Sequence, residues 1–314
     1  MNPSSGKIVK MAKISVVINT LNEEKNLPRA ISSIKNFADD IVVCDMQSDD
    51  NTIKVAEDLG ALVFEHKRTG YVEPARNFAI SKASGEWVLI LDADEEVPAK
   101  LREKLRLLAT NPQADYYRIP RKNIVFGSWL KHSRWWPDFN IRFFKKGKVS
   151  WNEVIHSVPM TIGKGMDLPQ EEDLAIIHYN YSSVEDYLER MNRYTTIQSK
   201  NLIEEGHKFI WKDLVKKPLS EFLSRYFGGE GYKDGLHGLA LSLLQAFSEL
   251  ILYIKVWQSE KFLPQATTPE EVEKEFRQAT NEIDWWLTDT AIKSRDFVAS
   301  IPHRIKRKLA RKNV

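Results

Sequence analysis

Residues 85–100 read GEWVLILDADEEVPAK, an apolar run that ends in a cluster of acids. Residues 87–91 have the length and composition of a strand that is buried on both faces of a sheet. Four acidic residues follow directly: Asp92, Asp94, Glu95 and Glu96. Since carboxylates so close together repel one another, we predict that a positive group lies at the end of this strand.

The chain before this strand alternates between two kinds of pattern. Three short β-type runs precede it: ISVVINT (14–20), DIVVCD (40–45) and ALVFEH (61–66). Three helical patterns lie between the runs: NLPRAISSIKNF (26–37), TIKVAEDL (52–59) and EPARNFAISKAS (73–84). Repeated strand, helix, strand units predict a parallel sheet that helices cover on both faces.

Polar residues follow each of the four predicted strands, at the edge where such sheets bind ligands. They are Thr20, Asn22 and Glu23; Asp45, Ser48, Asp49 and Asp50; Lys67 and Arg68; and Asp92 and Asp94. In an extended segment, residues i and i+2 point the same way, so Asp92 and Asp94 present two carboxylates to one point. Such a pair suits Mg²⁺ or Mn²⁺, which keeps open positions for the oxygens of a diphosphate.

Several features exclude classes of function. No G-x-G-x-x-G follows a strand and no G-x-x-x-x-G-K-[ST] occurs, which argues against a nicotinamide dehydrogenase and against a P-loop NTPase. Cys44 is the single cysteine, so an internal disulfide is excluded and a reducing compartment is indicated. Residues 1–13 contain no apolar segment typical of a signal peptide. We therefore expect a cytoplasmic protein.

Four stretches carry a family resemblance: SVVINTLNEEKNLPRAISSI (15–34), DIVVCDMQSDDNT (40–52), ARNFAISKASGEWVLILDADEE (75–96) and RWWPDFNIRFFKKGKVSWNEVIHS (134–157). They resemble the inverting glycosyltransferases of family 2, in particular the bacterial subgroup related to lipopolysaccharide core β-glucosyltransferases. The resemblance covers residues 12–258. It implies an α/β fold of GT-A type, with a Rossmann-like, mostly parallel sheet flanked by helices. It also implies a nucleotide-diphospho-sugar donor, expected to be a UDP-sugar, and Mg²⁺ or Mn²⁺ as cofactor.

The resemblance assigns roles to individual residues. The donor would be bound by Thr20, Asn22, Glu23, Asp45, Ser48, Arg76, Asn77 and Asp92. Asp45 would contact the base of the nucleotide. The ion would be held by Asp92, Asp94 and His178. The chain departs from the commoner D-[DS]-x-S-T-D-x-T pattern at Met46 and Asp49, so its selectivity for the donor base stays open.

Structural alternatives exist for several of these residues. Asp50 and Thr52 are residue types that cap helices, and this alternative is compatible with donor binding. Solvated or hydrogen-bonded structural roles are the alternatives for Arg76, Asn77 and His178. Glu95 and Glu96 precede Pro98 and a helical pattern, so we interpret them as first-turn charges rather than metal ligands.

The second half is expected to bind the acceptor. Its predicted acceptor-binding residues are Trp135, Trp136, Asp138, Arg142 and His156. Aromatic faces stack on sugar rings, and they also fill cores. Because Trp135 and Trp136 are adjacent and cannot both face one core, we expect one of them to be exposed.

An inverting transfer needs a base that takes the proton of the acceptor hydroxyl as this hydroxyl attacks. The available carboxylates are Glu153, Glu171, Glu172 and Asp173. Many relatives read V-H-E where this chain has Ile155, His156 and Ser157, so the carboxylate after the histidine is missing. We predict Glu153 and Asp173 as the catalytic carboxylates.

The chain turns helical after residue 183, and it ends in a basic segment. Residues 236–257 carry an apolar stripe made of Leu236, Leu239, Leu243, Leu244, Phe247, Leu250, Ile251, Ile254 and Trp257. The stripe fits an amphipathic helix in the membrane plane, and a bundle helix packed on the catalytic domain is the alternative. Six cations without an acid between them, residues 304–312, leave 40 basic against 43 acidic residues elsewhere. They favour an anionic membrane surface as partner over nucleic acid.

These patterns predict four segments and one function. The segments are a flexible N-terminus (1–12), a GT-A domain (13–182) with a donor half (13–112) and an acceptor half (113–182), a helical region (183–258) and a charged tail (259–314). We predict a metal-dependent inverting glycosyltransferase, peripheral to the membrane, that modifies a lipid-linked or cell-surface glycan. A sugar nucleotidyltransferase is one alternative, but residues 20–28 contain no glycine. A non-catalytic sugar-nucleotide-binding module is the other, and the intact Asp92 and Asp94 argue against it.

Overall fold

The computed structural model describes residues 12–68, 72–152, 159–294 and 299–304. The chain divides into two compact units. The first unit contains the described residues up to Ile124 together with Trp136–Asn180. The second unit contains Val125–Trp135 and the described residues from Tyr181 onward.

Four parallel strands form the first half of the first unit: β1 (Ile14–Thr20), β2 (Asp40–Asp45), β3 (Leu62–Glu65) and β4 (Trp87–Asp92). They lie in the order β3-β2-β1-β4. The helices between them are α1 (Leu27–Ile34), α2 (Thr52–Asp58) and α3 (Glu73–Lys82). Each strand predicted from a β-type run is present, because runs of this composition are stable where both faces of a sheet are covered.

The described residues that follow β4 in this half of the chain form one further α-helix and eight further strands. They are β5 (Glu95–Glu96), α4 (Ala99–Thr110), β6 (Tyr116–Val125), β7 (Ser128–Trp129), β8 (Asp138–Lys145), β9 (Val149–Ser150), β10 (Met160–Thr161), β11 (Gly165–Asp167) and β12 (Ile176–Tyr181). Beyond β4 the sheet continues through β8, β6, β12 and β5. Strand β8 runs antiparallel to β4 and to β6, and β12 runs antiparallel to β5. The predicted fold class, a mostly parallel α/β sheet with a helical C-terminal part, is confirmed.

The hydrophobic core lies on both faces of the sheet. Successive side chains of β1 point to opposite faces and contribute to both parts of the core. Val16 and Ile18 belong to one buried cluster, which also contains residues of α1, α2 and α4. Val17 belongs to the other cluster, with Ala75 and Ala79 of α3. This burial fixes the register, since a one-residue slip would exchange the two faces. It also fixes which polar residues stand at the carboxyl ends of the strands.

Four helices dominate the second unit: α5 (Val184–Glu204), α6 (Asp213–Leu223), α7 (Gly235–Ser259) and α8 (Pro269–Lys293). Ser183 caps α5 by accepting a hydrogen bond from the amide of Asp186. A capping box of Thr268 and Glu271 begins α8. Both caps provide hydrogen-bond acceptors for backbone amide groups that the first helical turn leaves without partners.

Helix α7 packs against α5 and α6, and the stripe residue Leu244 packs against a buried cluster that includes Tyr187 of α5. Leu241, Leu252 and Val256 are buried. Two stripe residues near its middle are exposed, Leu243 by 52% and Phe247 by 43%. The helix therefore has a packed side and a separate exposed apolar side. Among the described residues, Gly231–Ser259 is the one helical stretch that has the length and composition to cross a membrane, although the core helix of a soluble protein meets the same criteria.

Candidate active site

The carboxyl ends of β1 and β2 bring predicted donor-binding residues together. Thr20 lies opposite Asp45 in the parallel register, and its hydroxyl donates to Asp45 Oδ1 at 3.0 Å. Ser48 donates twice to the same carboxylate, from its amide at 2.8 Å and from its hydroxyl at 2.6 Å. Asp45 is fully buried, so its carboxylate shapes the loop that follows β2.

The loops after β1 and β2 are joined to each other by side chains. The amide of Asn22 donates to Ser48 Oγ at 2.8 Å, and Asn22 Oδ1 accepts from the amide of Asp49 at 2.7 Å. Asn22 has a left-handed backbone with φ 59°, which asparagine tolerates better than most residues. The amide of Glu23 donates to the hydroxyl of Thr52 at 2.8 Å. These contacts form one continuous rim at the edge of the sheet.

The helix-cap alternative for Asp50 is compatible with this rim. Asp50 Oδ1 accepts from the amide of Thr52, the first residue of α2, at 2.9 Å. Its other oxygen accepts from the amide of Glu24, in the loop after β1, at 3.2 Å. Asp50 thus satisfies an amide at the start of a helix and also holds the two loops together.

Three arginines surround the acids that end β4. Arg142 Nη2 lies 2.6 Å from Asp92 Oδ2 and 2.7 Å from Glu95 Oε1. Arg76 lies 3.4 Å from the other oxygen of Asp92, and Arg121 lies 3.5 Å from Glu95 Oε1. The side chains of Arg142 and Glu95 are 4% and 0% exposed. The chain itself therefore supplies positive groups at the end of this strand.

The environment shifts the pKa values of these acids in opposite directions. Burial disfavours the charge of Asp92, but Arg142 and Arg76 outweigh it and hold the pKa of Asp92 well below its usual range. Burial raises the pKa of Glu95, against the attraction of Arg142. Asp92 therefore carries a permanent negative charge that its arginine neighbours compensate.

The interpretation of Glu95 and Glu96 as first-turn charges is wrong. Both residues form β5, which pairs with β12, and α4 begins only at Ala99 with no acid in its first turn. Glu95 Oε2 accepts from the amide of Asp92 at 2.9 Å, and Glu96 accepts from the hydroxyl of Tyr179 at 3.0 Å. Pairing with a distant strand decides their position, and the local pattern did not contain that information.

The pairing of β5 with β12 places His178 beside Asp94. His178 lies opposite Glu95 in the antiparallel register, and the amide of Tyr179 donates to the carbonyl of Asp94 at 2.9 Å. The distance between His178 Nε2 and Asp94 Oδ2 is 3.6 Å. Both residues are buried. Two of the three predicted metal ligands are thus adjacent, although Asp94 and His178 are far apart in the sequence.

The donor atoms present fit a divalent ion in part. Among the described residues, no three His, Cys, Asp or Glu side chains form a group that could hold a metal, and Asp92 contacts arginines. Asp94 Oδ2 and His178 Nε2 are 3.6 Å apart, less than twice the metal-ligand distance of about 2.1 Å. One ion can therefore contact both atoms. Mg²⁺ is commonly bound by one or two carboxylates together with substrate phosphates, and Asp94 is one such carboxylate.

Arg76 and Asn77 follow one another on α3 but make different contacts. The amide side chain of Asn77 donates to the carbonyl of Trp151 at 2.6 Å and accepts from its amide at 2.9 Å. The guanidinium of Arg76 lies 5.5 Å from the centre of the Trp151 ring and reaches Asp92. Asn77 thus holds the backbone after β9, whereas Arg76 places a positive charge at the end of β4.

The predicted acceptor and catalytic residues that the structure describes have different surroundings. Trp135 is half-buried in the second unit, against an apolar group that includes Tyr187 and Leu241. Trp136 is half-buried as well, so the expectation that one of the two is exposed is wrong. Asp173 is 58% exposed and forms an ion pair with Lys100.

Two further candidates, Glu153 and His156, lie outside the described residues. Arg142, predicted to contact the acceptor, is buried against Asp92 and Glu95 instead. The local sequence of β8 did not indicate these contacts, because the partners of Arg142 lie 47 to 50 residues away in the chain.

Strand β6 contributes two site residues that the sequence analysis missed, Arg121 and Asn123. Arg121 binds Asp138 Oδ2 through Nε at 2.9 Å and through Nη2 at 2.5 Å. Asn123 bonds to Asp138 at 3.3 Å and to His178 at 2.6 Å. The available signal was their spacing, because polar residues at i and i+2 of a strand share one face.

Comparisons with known proteins relate this chain to glycosyltransferases. The model of the family described as Glycosyl transferase family 2 matches residues 15–164. An uncharacterized glycosyltransferase of Rickettsia typhi is 31% identical over 255 residues, which is 78% of this chain and 87% of that protein. The lipopolysaccharide core biosynthesis glycosyltransferase LpsC of Rhizobium meliloti is 25% identical over 254 residues, which is 78% of this chain and 92% of that protein.

Among solved structures, residues 1–349 of TarS from S. aureus in complex with UDP are 17% identical, with a TM-score of 0.43. That match covers 77% of this chain and 91% of the other. The sequence relationship to the Rickettsia protein spans most of both chains. Together with the family match, it identifies this chain as a glycosyltransferase that belongs to glycosyl transferase family 2.

Proposed function

We propose that this glycosyltransferase moves a sugar, with inversion, from a nucleotide-diphospho-sugar to a lipid-linked or cell-surface glycan. We further propose that the donor is a UDP-sugar and that the transfer depends on Mg²⁺ or Mn²⁺. The observation that carries the proposal is the adjacency of Asp94 and His178, 3.6 Å apart beside the end of β4. The relationship to LpsC, a lipopolysaccharide core glycosyltransferase at 25% identity, supports the choice of a cell-envelope acceptor.

Individual residues have separate roles in the proposed donor site. Asp94 and His178 would hold the ion, which neutralises the charge of the leaving diphosphate. The rim built by Thr20, Asn22 and Ser48 would border the nucleotide, with Asp45 holding the rim in shape. Arg76 supplies a positive charge close to Asp92, where the diphosphate would lie. The rim and Arg76 are positioned before the donor arrives, which lowers the cost of binding.

The acceptor side of the proposal concerns the general base and the sugar contacts. We propose Glu153 or Asp173 as the base, with Trp135, Trp136 and His156 as acceptor contacts. Asp173 is accessible to an acceptor because 58% of its side chain is exposed. A base must come within hydrogen-bond reach of the attacking hydroxyl, so the bound acceptor would select between the two carboxylates.

The donor proposal predicts a metal-dependent thermal shift. A UDP-sugar is expected to raise the melting temperature of the protein in Mn²⁺, because a ligand of the folded state alone stabilises that state. The same sugar nucleotide in a chelator, and GDP- or dTDP-sugars in Mn²⁺, are expected to raise it much less. Differential scanning fluorimetry measures all of these combinations on one plate. Equal shifts in chelator would contradict the metal, and shifts only with nucleoside triphosphates would indicate a nucleotidyltransferase.

We also propose that the enzyme is cytoplasmic and binds the inner face of the cytoplasmic membrane through its second unit. The exposed side of α7 carries Leu236, Leu243 and Phe247. Lys131 lies near the start of this helix, because its amide donates to Asp234, the residue before α7. Arg134, three residues further along the same loop, donates to Ser224. Both residues are exposed, and the structure shows no ion pair of either side-chain charge with a described carboxylate. Exposed apolar side chains and cations without ion-pair partners in the same unit suit an anionic lipid surface.

This surface predicts a variant that no longer binds liposomes. Leu243→Glu with Phe247→Glu places two carboxylates on the exposed side of α7, and binding to liposomes that contain anionic lipid is expected to fall at least tenfold. The matched control is Leu107→Glu, on α4 of the first unit, which is 67% exposed and is expected to bind like the parent. Flotation of the full chain measures the bound fraction. A parent that stays unbound, or a double variant that binds equally well, contradicts the membrane proposal.

A further inference from the structure

His178 can serve a metal only if the correct ring nitrogen carries its proton. A neutral imidazole has one protonated nitrogen and one nitrogen with a free electron pair. His178 Nε2 faces Asp94 Oδ2 at 3.6 Å, and His178 Nδ1 lies 2.6 Å from Asn123 Oδ1. The partner of Nδ1 therefore decides whether Nε2 has its electron pair available.

The orientation of the Asn123 side chain follows from its second partner. Asn123 Nδ2 lies 3.3 Å from Asp138 Oδ2. An ionised carboxylate only accepts hydrogen bonds, so the amino group of Asn123 must face Asp138 and its oxygen must face His178. An amide oxygen also only accepts, which leaves the proton on His178 Nδ1. The reverse orientation would place two acceptors, Asn123 Oδ1 and Asp138 Oδ2, against each other.

Asp138 stays ionised because of the residues around it. Burial acts to raise the pKa of Asp138, but Arg121 and the hydrogen bonds from Asn123 and Asn140 outweigh it and lower this pKa. Arg121 holds Oδ2 with two nitrogens, and Asn140 donates to Oδ1 at 3.0 Å. Asn123 is 1% exposed, so water does not compete for its bonds. The chain of contacts from Arg121 to His178 is continuous.

We propose that Asn123 and Asp138 are positioning residues that set the tautomer of His178. In this relay, Arg121 fixes Asp138, Asp138 orients Asn123, and Asn123 holds the proton of His178 on Nδ1. The electron pair of Nε2 is then directed to the side on which Asp94 lies. Asp138, expected from the sequence to contact the acceptor, thereby acts through His178 instead. The inference rests on the metal site of the proposed function and specifies how the chain prepares it.

Two substitutions at one position distinguish a relay from a merely structural role. Asn123→Leu has a similar size and removes both bonds, so His178 loses the acceptor for Nδ1. Asn123→Asp keeps an acceptor for Nδ1 but places a second carboxylate beside Asp138. A structural role predicts that the aspartate variant is the more damaged of the two, because of the repulsion. The relay predicts that the aspartate variant keeps the tautomer and the metal affinity better than the leucine variant.

Two separate measurements, both at pH 8, report the tautomer and the metal affinity. Long-range ¹H–¹⁵N correlation spectra of the metal-free protein, with His178 assigned through His178→Gln, are expected to show the Nδ1–H form. Calorimetry with Mn²⁺ alone is expected to show affinity about 10- to 100-fold lower for Asn123→Leu, and within a few-fold of the parent for Asn123→Asp. Arg118→Met, which alters the same strand β6 but removes a contact with Asp167 outside the relay, is the matched control and is expected to match the parent.

Each outcome decides between the relay and its rejection. An Nε2–H form in the parent overturns the relay whether or not any variant folds. So does an Asn123→Leu protein that binds Mn²⁺ like the parent, or an Asn123→Asp protein that binds it worse than Asn123→Leu. A parent with the Nδ1–H form that binds no Mn²⁺, with or without a UDP-sugar, leaves the tautomer control standing and contradicts the metal in the proposed function.

Discussion

Asp94→Asn is expected to fold like the parent and to lose about two to three orders of magnitude in turnover. The amide keeps the shape of the carboxylate but removes the negative charge that faces His178 Nε2 at 3.6 Å. Removing one preorganised electrostatic stabiliser of a transition state typically costs this much. Sugar transfer from the donor that the thermal-shift screen selects, to water or to an added acceptor, measures the turnover. Calorimetry of the donor in Mn²⁺ and in chelator measures the metal dependence.

The matched control for this variant is Glu96→Gln. Glu96 stands two residues away and accepts one hydrogen bond from Tyr179, so its replacement is expected to cost about 1 kcal/mol of stability and to leave turnover near that of the parent. Circular dichroism establishes that both variants fold. An Asp94→Asn protein with parental turnover in Mn²⁺, or a parent that works equally well in chelator, would remove the metal from the mechanism.

Arg142→Met is expected to destabilise the protein by about 3–5 kcal/mol, because it leaves a buried carboxylate without its main partner. Arg142 bridges Asp92 and Glu95, and the side chain of Glu95 is 0% exposed. Arg121, at 3.5 Å from Glu95, is too distant to replace it fully. Urea unfolding followed by fluorescence and by circular dichroism measures the loss. Adding Glu95→Gln to the variant is expected to recover part of it, since the uncompensated charge is then gone.

An exposed pair offers the matched control for Arg142. Arg118 binds Asp167 through Nε and Nη2, at 2.6 and 2.7 Å, in a geometry at least as good as that of Arg142. Their side chains are 49% and 41% exposed, so Arg118→Met is expected to cost at most about 1 kcal/mol. Equal losses of unfolding free energy for Arg142→Met and Arg118→Met would show that burial does not make Arg142 more important for stability than an exposed arginine.

The first half of the fold was predictable because its signals are local. Four apolar runs became β1 to β4, since each run is long enough for a strand and each is followed by polar residues. The parallel arrangement follows from the helices between the runs. It brings Thr20, Asp45 and Asp92 to one edge of the sheet, as the register shows. The expectation of a positive group at the end of β4 rested on charge alone, and Arg142 and Arg76 fulfil it.

The partners of the acidic cluster could not be predicted, because they come from strands far away in the chain. Arg142 lies on β8 and His178 lies on β12. The sequence next to either residue does not predict a contact with Asp92 or Asp94. Glu95 and Glu96 illustrate the error that follows. Next to a helical pattern they resemble first-turn charges, but pairing with β12 makes them a strand. Tertiary hydrogen bonding thus outweighed a local preference worth only about 0.3–1 kcal/mol.

Helix α7 shows most clearly what the sequence determined and what only the tertiary structure decided. Its sequence by itself determined that residues 236–257 form an apolar helix, because leucine recurs there at spacings of three and four. Only the tertiary structure decided which side is buried. Helix α7 packs against α5 and α6, and Leu241, Leu252 and Val256 are buried whereas Leu243 and Phe247 are exposed. The physical reason is that helical periodicity depends on neighbours within one chain segment, whereas burial depends on which other segments arrive to cover a face.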